Sequence, residues 1–360
     1  METLPPKSPK LKIILLGISL IILIIIFLLY PYINLLRQYG ATPKLILSLF
    51  KNDTTALKNF DGRTNVLLLG ISGGNHEGST LSDSMNVISL DNNKKNGVLI
   101  SLPRDIWSPS LKDKINSAYA YGEIKQEGGG ILLSKSIVEE VIGLPIHYAL
   151  VIDFSGFKQL IDEEGGIEID VKNEFIDEKY PIEGKENDEC GGKDPEFTCR
   201  YELVQFKKGL QHMDGDRALK YVRSRNSQGQ EGTDIARARR QQQVLLAIKD
   251  KLLQFENLLN RDKLKALIEK SQSSIKTDLT LVELIVFGRS FSDLKNGSIK
   301  RPILSIADPI EGKPGFLINP PLYEFDNKWV LIPRNGETEF QEIHQYIQCW
   351  IEEEKCTITP

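Results

Sequence analysis

"TNVLLLGISGGNHEGSTLSDSMNVISLDNNKKNGVLISLP", residues 64–103, holds three apolar runs, and their spacing decides the fold class. "TNVLLLGIS" (64–72) is short, apolar and stopped by Gly70, the pattern of a buried strand. "SMNVISLD" (84–91) and "NGVLISLP" (96–103) are joined by "NNKKNG", a turn rich in Asn and Gly, so they predict an antiparallel hairpin. Downstream the period changes. "GGILLSKSIVEEVIG" (129–143) is helical with Gly143 as its stop, "HYALVIDF" (147–154) is a strand, 155–166 a short helix, and "IEIDV" (167–171) a strand again. Alternation of this kind predicts an α/β fold with a central mixed β-sheet flanked by helices. Helices follow over 233–256 and 337–354. A third, over 279–294, opens on the capping-box pair Thr280 and Glu283. "SIKRPILSI" and "KWVLIP" read as late strands. Residues 172–210 are polar, acidic and turn-rich, and read as a surface insertion.

Before this domain, residues 13–36 contain no charged side chain. At about 1.5 Å per residue a helix of that length crosses the roughly 30 Å hydrocarbon core. Lys7, Lys10 and Lys12 precede the run and only Arg37 and Lys44 follow it closely. The positive-inside rule then places 1–12 in the cytoplasm, 13–36 in the membrane as a single N-terminal anchor, and the remainder outside the cell. Residues 37–63 read as a juxtamembrane stalk or short helices, 64–256 as the catalytic domain, and 257–360 as helices and strands completing it. The four cysteines, Cys190, Cys199, Cys349 and Cys356, all fall in the exported part. The short "CGGKDPEFTC" loop suits a disulfide in an oxidising compartment. For Cys349 and Cys356 the sequence predicts no pairing.

The chain has a formal net charge of −4. Residues 162–196 carry 14 acidic side chains against four lysines, whereas 201–250 carry ten Lys and Arg against six acids. A nucleic-acid binder would show a broad basic face, so a small anionic ligand fits better. "ALKYVRSRNSQGQEGTDIARARRQQQVLL" (218–246) holds the arginines. In an extended segment Arg223 and Arg225 face one way, and two adjacent guanidiniums need an anion or carboxylate between them. Phosphate, nucleic acid and salt bridges all remain open for that pair alone. On the long helix Arg237 and Gln241 share a stripe with Leu245, Ile248 and Leu252, so Arg237 points inward at the helix N-terminus. Asp234 is the alternative, structural partner for that charge, and Arg239 lies on another face. Arg104 and Asp105 sit at a strand end, where open α/β sheets place ligands. Asp83 closes a Gly-rich loop, and a carboxylate beside phosphates suggests Mg²⁺.

Taken in order, "NVLLLGISGG…LSDSMNVISLD", "LISLPRDIW", "KINSAYAYG", "GLPIHYALVIDFSGFKQLIDEEGGIEIDV", "QHMDGDRALKYVRSR" and "DIARARRQQQVL" resemble the LytR–CpsA–Psr (LCP) family over about residues 64–255. The resemblance implies a membrane-anchored phosphotransferase acting outside the cell. It implies transfer of a glycopolymer from a polyprenyl-pyrophosphate carrier to a cell-wall acceptor such as peptidoglycan, with Mg²⁺ and no nucleic acid. Carried over by position, Asp83 resembles the metal carboxylate, Arg104 the arginine beside the scissile pyrophosphate, and Asp105 the acid after it. Arg223, Arg225, Arg237, Arg240 and Gln241 resemble the pyrophosphate pocket. Two positions depart from the pattern: Ser72 stands where many members have Asp, and Leu81 where many have Arg. Asn75 and His76 in the loop between are the polar groups that could compensate. A polyprenyl-pyrophosphate hydrolase and a non-catalytic lipid-phosphate-binding or scaffold protein are the alternatives these departures keep open.

Overall fold

The computed structural model describes residues 16–21, 23, 24, 27, 30, 42–51, 54–74, 78–92, 96–185, 187–252, 274–307, 312, 314–353 and 355–359. In chain order its principal elements begin with α1 (Pro43–Lys51), β1 (Arg63–Ile71), β2 (Ser82–Asp91), β3 (Gly97–Leu102), α2 (Ala118–Lys125) and α3 (Gly129–Ile142). Next come β4 (Tyr148–Asp153), α4 (Phe154–Glu163), β5 (Ile167–Val171), β6 (Phe175–Pro181), β7 (Tyr201–Phe206) and β8 (Gly209–Met213). Last are α5 (Gly215–Arg223), α6 (Asp234–Leu252), β9 (Ile275–Thr277), α7 (Leu281–Ser292), β10 (Ile299–Lys300) and α8 (Gln341–Glu352).

Six strands form the central sheet in the order β9-β4-β1-β2-β3-β10. β1–β2, β2–β3 and β4–β9 pair antiparallel, whereas β1–β4 and β3–β10 pair parallel, so the sheet is mixed. The period of two sends alternate residues to opposite faces. Leu67, Leu69, Met85, Val87 and Ile100 pack with α3 and α8, while Val66, Ile88, Leu90 and Leu99 pack with α6 and α7. Each fully buried aliphatic side chain contributes about 1.5–3 kcal/mol, enough for the alternation to hold the register. Gly143 ends α3 in the left-handed region at φ 70°, and Thr280 with Glu283 forms the expected capping box on α7.

Three sequence readings change. β5 does not join the central sheet; it pairs with β8 in a separate ribbon. Residues 172–210 are not a simple surface insertion, because β6 and β7 pair antiparallel and bury Phe175, Tyr180, Val204 and Phe206 against α5. The stretch between those strands is mostly exposed, and there Cys190 and Cys199 form the anticipated disulfide. The segment 37–63, read as a stalk or short helices, contains the helix α1, and it is packed rather than free-standing: Leu45 is buried in the core with Leu57 and the residues of α7. Cys349 and Cys356, left unassigned by sequence, form a second disulfide that ties the end of α8 to the chain after it. The predicted anchor lies largely outside the described residues. Those described within it, including Leu16, Ile21 and Phe27, are helical and expose their apolar side chains. Among the described residues no helix is long and apolar enough to cross a membrane.

The β1–β4 junction carries a titratable clamp. The backbone N–H of Asn65 donates to His147 Nδ1 at 2.9 Å, and His147 N–H donates to Asn65 O at 3.0 Å. Burial lowers the His147 pKa below 6.5, and the nearby Lys135 and Lys58 push the same way. A lowered imidazole pKa means the unfolded chain binds the proton more readily. Stability from this group is therefore intact above about pH 6.5 and falls as pH drops through the window beneath it. Urea unfolding between pH 7.5 and 5.5 should show the loss, and His147→Gln should reduce the slope. An unchanged slope in the variant would remove the clamp from the account.

Candidate functional site

A cavity of about 310 Å³ opens between the sheet and the layer made by α4, α5 and α6. One end is polar, lined by Asp83, Arg104, Arg223, Arg225, Arg237 and Gln241. The remaining walls are mostly apolar: Leu68, Leu150 and Ile152 from the sheet, Phe154, Phe157 and Leu160 from α4, and Leu219, Val222, Val244, Leu245 and Ile248 from α5 and α6.

Each polar residue is set by its element. Asp83 is the unpaired residue between Ser82 and Ser84 at the irregularity where Gly70 and Ile71 slip register against β2. Arg104 follows β3 and Pro103, and its carbonyl accepts from Asn116 N–H in the "KINS" turn at 3.3 Å. Arg104 Nη1 donates to Asp83 Oδ1 in a close ion pair. Arg104 Nε lies 3.5 Å from Asp105 Oδ2, yet is buried without a hydrogen-bond partner among the described residues. Asp105 in turn accepts from Lys114 Nζ at 2.8 Å. Asp105 lines neither this cavity nor the small cleft beside it, so its expected place is corrected: it bridges Arg104 and Lys114.

The pair at 223 and 225 is likewise corrected. Arg223 is not in an extended segment but is the last residue of α5, and the chain turns extended only at Ser224 (φ −53°, ψ 129°). A helix end followed by an extended step still delivers both side chains to the cavity. Arg223 stacks 4.2 Å above the Phe154 ring centroid, and its Nη1 donates to the Tyr180 hydroxyl at 3.2 Å. Arg225 is held by its backbone. Its N–H donates to the fully buried Asp177 carboxylate at 3.0 Å, and Asn226 N–H to the same oxygen at 3.3 Å. Among the described residues the Arg225 guanidinium has no ion-pair partner, which leaves its fork of donors for a ligand.

On α6, Arg237 faces the cavity with its side chain 13% exposed, and its Nη2 donates to Asp234 Oδ1 at 2.7 Å. Both readings of this arginine therefore hold together. Burial lowers the Arg237 pKa, with Asp234 opposing and Arg104 and Arg225 adding to the fall, so three cations press on one another across the polar end. An anion placed there would relieve that repulsion. Gln241, one turn on, accepts from Ser84 Oγ at 3.2 Å. Ser84 also accepts from Asn86 Nδ2 at 3.0 Å, and Asn86 from Ser101 Oγ at 2.6 Å, which ties α6 to β2 and β3.

Arg240 is the third correction. It lines no cavity. With 3% exposure, it donates from Nε to Tyr221 O and from Nη1 to Glu231 O and Oε2, each at 2.9 Å, and from Nη2 to Ser224 O. Its guanidinium is used up on these groups and fastens the turn that carries Arg225. Arg240→Met should cost about 3 kcal/mol of stability by leaving Glu231 and three carbonyls unpaired. Urea unfolding measures this, and a loss below about 1 kcal/mol would contradict the assignment.

Ser72 and Leu81 line neither cavity; Ser72 Oγ donates to Ser79 O at 3.4 Å. Asn75 and His76 lie outside the described residues. Sequence reasoning did not single out Asp153, Asp177 or Tyr180. Asp153 lines the cavity and caps α4, its Oδ1 accepting from Gly156 N–H at 2.7 Å. Gly73 (φ 72°) packs so closely on it that an added Cβ would lie 2.8 Å from Asp153 Cβ. The signal for Asp153 was present as a capping residue at the strand–helix step of "IDFSG".

The profile of the LytR_cpsA_psr family matches residues 41–316. A relative from Bacillus subtilis (strain 168), polyisoprenyl-teichoic acid–peptidoglycan teichoic acid transferase TagV, is 30% identical over 301 residues, 80% of this chain and 69% of its own length. The crystal structure of B. subtilis TagV superposes with a TM-score of 0.54 at 24% identity, over 81% of this chain and 97% of that one. TagT bound to LIIa-WTA superposes with a TM-score of 0.53 at 24% identity, over 81% and 92%. These two likenesses carry the fold.

Proposed function

This chain belongs to the LytR_cpsA_psr family, and on that premise we propose that it is a phosphotransferase moving a glycopolymer from a polyprenyl-pyrophosphate carrier to a cell-wall acceptor of the peptidoglycan type. One observation carries the reading: four arginines from three separate segments line the polar end of a cavity whose other walls are mostly apolar. A ligand with a pyrophosphate head and an isoprenoid tail matches both halves. The relative's own activity, on teichoic acid and peptidoglycan, supports the choice of donor and acceptor class.

The chain's own residues account for the chemistry. Arg223, Arg225 and Arg237 bind the pyrophosphate oxygens through charge-assisted donors. Arg104 faces the transferring phosphorus, where negative charge develops and fixed cations are most effective. Asp105 and Lys114 hold Arg104 in place. Asp83 offers a hard oxygen donor, with its side chain 34% exposed, at the cavity's polar end. Mg²⁺ is commonly held by one or two carboxylates together with substrate phosphates, so this donor set fits it and Asp83 would be its protein ligand. Such an ion would supply further neutralisation of phosphate charge. The apolar run 13–36 supports a single-pass anchor with the N-terminus in the cytoplasm, the catalytic domain lying outside the cell at the bilayer where the lipid carrier resides.

Binding measurements test the match of head and tail. Polyprenyl pyrophosphate should bind far more tightly than inorganic pyrophosphate or the polyprenyl alcohol. Shortening the tail should weaken it by about 0.8 kcal/mol for each buried methylene lost, until the tail no longer fills the cavity. Affinity independent of tail length would contradict the apolar walls as the lipid site.

A further inference from the structure

The polar wall of the cavity has a second side. A cleft of about 30 Å³ lies against it, with room for water-sized groups. Asp83, Ser84, Arg104, Arg237 and Gln241 line both spaces. The rest of the lining differs. None of the apolar residues of α4, α5 or β4 reaches the cleft, which is closed instead by the first turn of α6 and by the segment from Ile303 to Ile306. Asp234 and Ala238 line the cleft and not the cavity.

Displacement at phosphorus brings the entering oxygen in roughly opposite the departing one. If the lipid phosphate departs along the apolar cavity, the entering oxygen comes from the other side of the shared wall. We infer that the cleft admits the hydroxyl of the acceptor saccharide and that Asp234 receives its hydrogen bond; this rests on the transferase reading above. The Asp234 side chain is 38% exposed and gives Oδ1 to Arg237 at 2.7 Å. A carboxylate has about four acceptor positions, so a second donor can be taken on.

The step balances as follows. The acceptor oxygen forms a bond to the phosphorus that carries the glycan. The bond from that phosphorus to the bridging oxygen breaks, and its electron pair leaves on polyprenyl monophosphate. The hydroxyl proton passes to the Asp234 carboxylate and from there to solvent.

The test compares full-length wild type, Asp234→Asn and Ala238→Leu, reading polyprenyl-pyrophosphate-glycan affinity and single-turnover transfer to an acceptor saccharide over a range of acceptor concentrations. Asn keeps an oxygen for Arg237 but takes no proton, and Leu fills the cleft without touching the ion pair. Donor affinity should stay within about twofold in Ala238→Leu and be kept or strengthened in Asp234→Asn, where Arg237 loses a competing charge, while transfer in Asp234→Asn falls about 100-fold or more. Ala238→Leu should demand at least about tenfold more acceptor for the same rate. Transfer near the wild-type rate in both variants would overturn the inference and leave the transferase reading standing. So would a loss of donor affinity in Ala238→Leu equal to its loss of rate, since the donor glycan would then occupy the cleft. A wild-type protein that binds the donor but transfers to no acceptor would overturn the transferase reading, and the acceptor cleft with it.

Discussion

Arg104→Ala should slow single-turnover transfer by about 10²–10³-fold while changing polyprenyl-pyrophosphate affinity much less. The asymmetry follows from position. Arg104 stands on the wall shared by cavity and cleft, paired with Asp83, and is braced by Asp105 and Lys114. In the ground state Asp83 already takes up part of its charge, so it adds modestly to binding. As the bond to the lipid phosphate loosens, charge accumulates on the equatorial and leaving oxygens, and a preorganised guanidinium stabilises that state without reorganising. Asp83→Ala should lose transfer together with any stimulation by Mg²⁺, because the carboxylate that would hold the ion is gone. Equal losses of affinity and rate in Arg104→Ala would mean the arginine binds ground state and transition state alike.

Arg225→Ala should weaken pyrophosphate binding by about 1.5–3 kcal/mol, roughly 10- to 150-fold in affinity. Arg225 is the cleanest of the binding arginines to remove. Asp177 holds its backbone rather than its side chain, so truncation leaves the turn fastened. Arg223 contributes more ambiguously, because its guanidinium also stacks on Phe154 and donates to Tyr180, and truncation would loosen packing as well. Arg239→Ala, on the exposed face of α6, should leave both affinity and rate nearly unchanged. Isothermal titration with polyprenyl pyrophosphate separates these cases. Equally small effects at Arg104, Arg223, Arg225 and Arg237 would reduce the cluster to a surface charge network.

Much of this was legible in residues 64–103 and 218–246. The central strands were readable because buried strands leave short apolar runs between turn signals, and the inward stripe of α6 because Arg237, Gln241, Leu245 and Ile248 recur at helical spacing. Three things were hidden, each for a physical reason. β6 looked like an acidic loop because an inward position is occupied by Asp177, which is buried to accept backbone N–H groups rather than to pack. Arg240 looked like a ligand residue because sequence records charge and not the rotation that points its guanidinium at three carbonyls. Val244, Leu245 and Ile248 carry the same pattern whether they fill a core or line a cavity. Only the packing of α4 and α5 across the sheet leaves that space open.

Product analysis is the most direct test of the central claim. Purified full-length protein in detergent or vesicles would be given polyprenyl-pyrophosphate-linked glycan with and without a peptidoglycan acceptor. The account predicts acceptor-linked glycan phosphate and polyprenyl monophosphate in equal amounts, formed only when the acceptor is present. Polyprenyl monophosphate released with free glycan phosphate at the same rate in both mixtures would contradict it and make the protein a hydrolase. Tight binding of the donor with neither product formed would contradict it as well and leave a lipid-phosphate-binding protein.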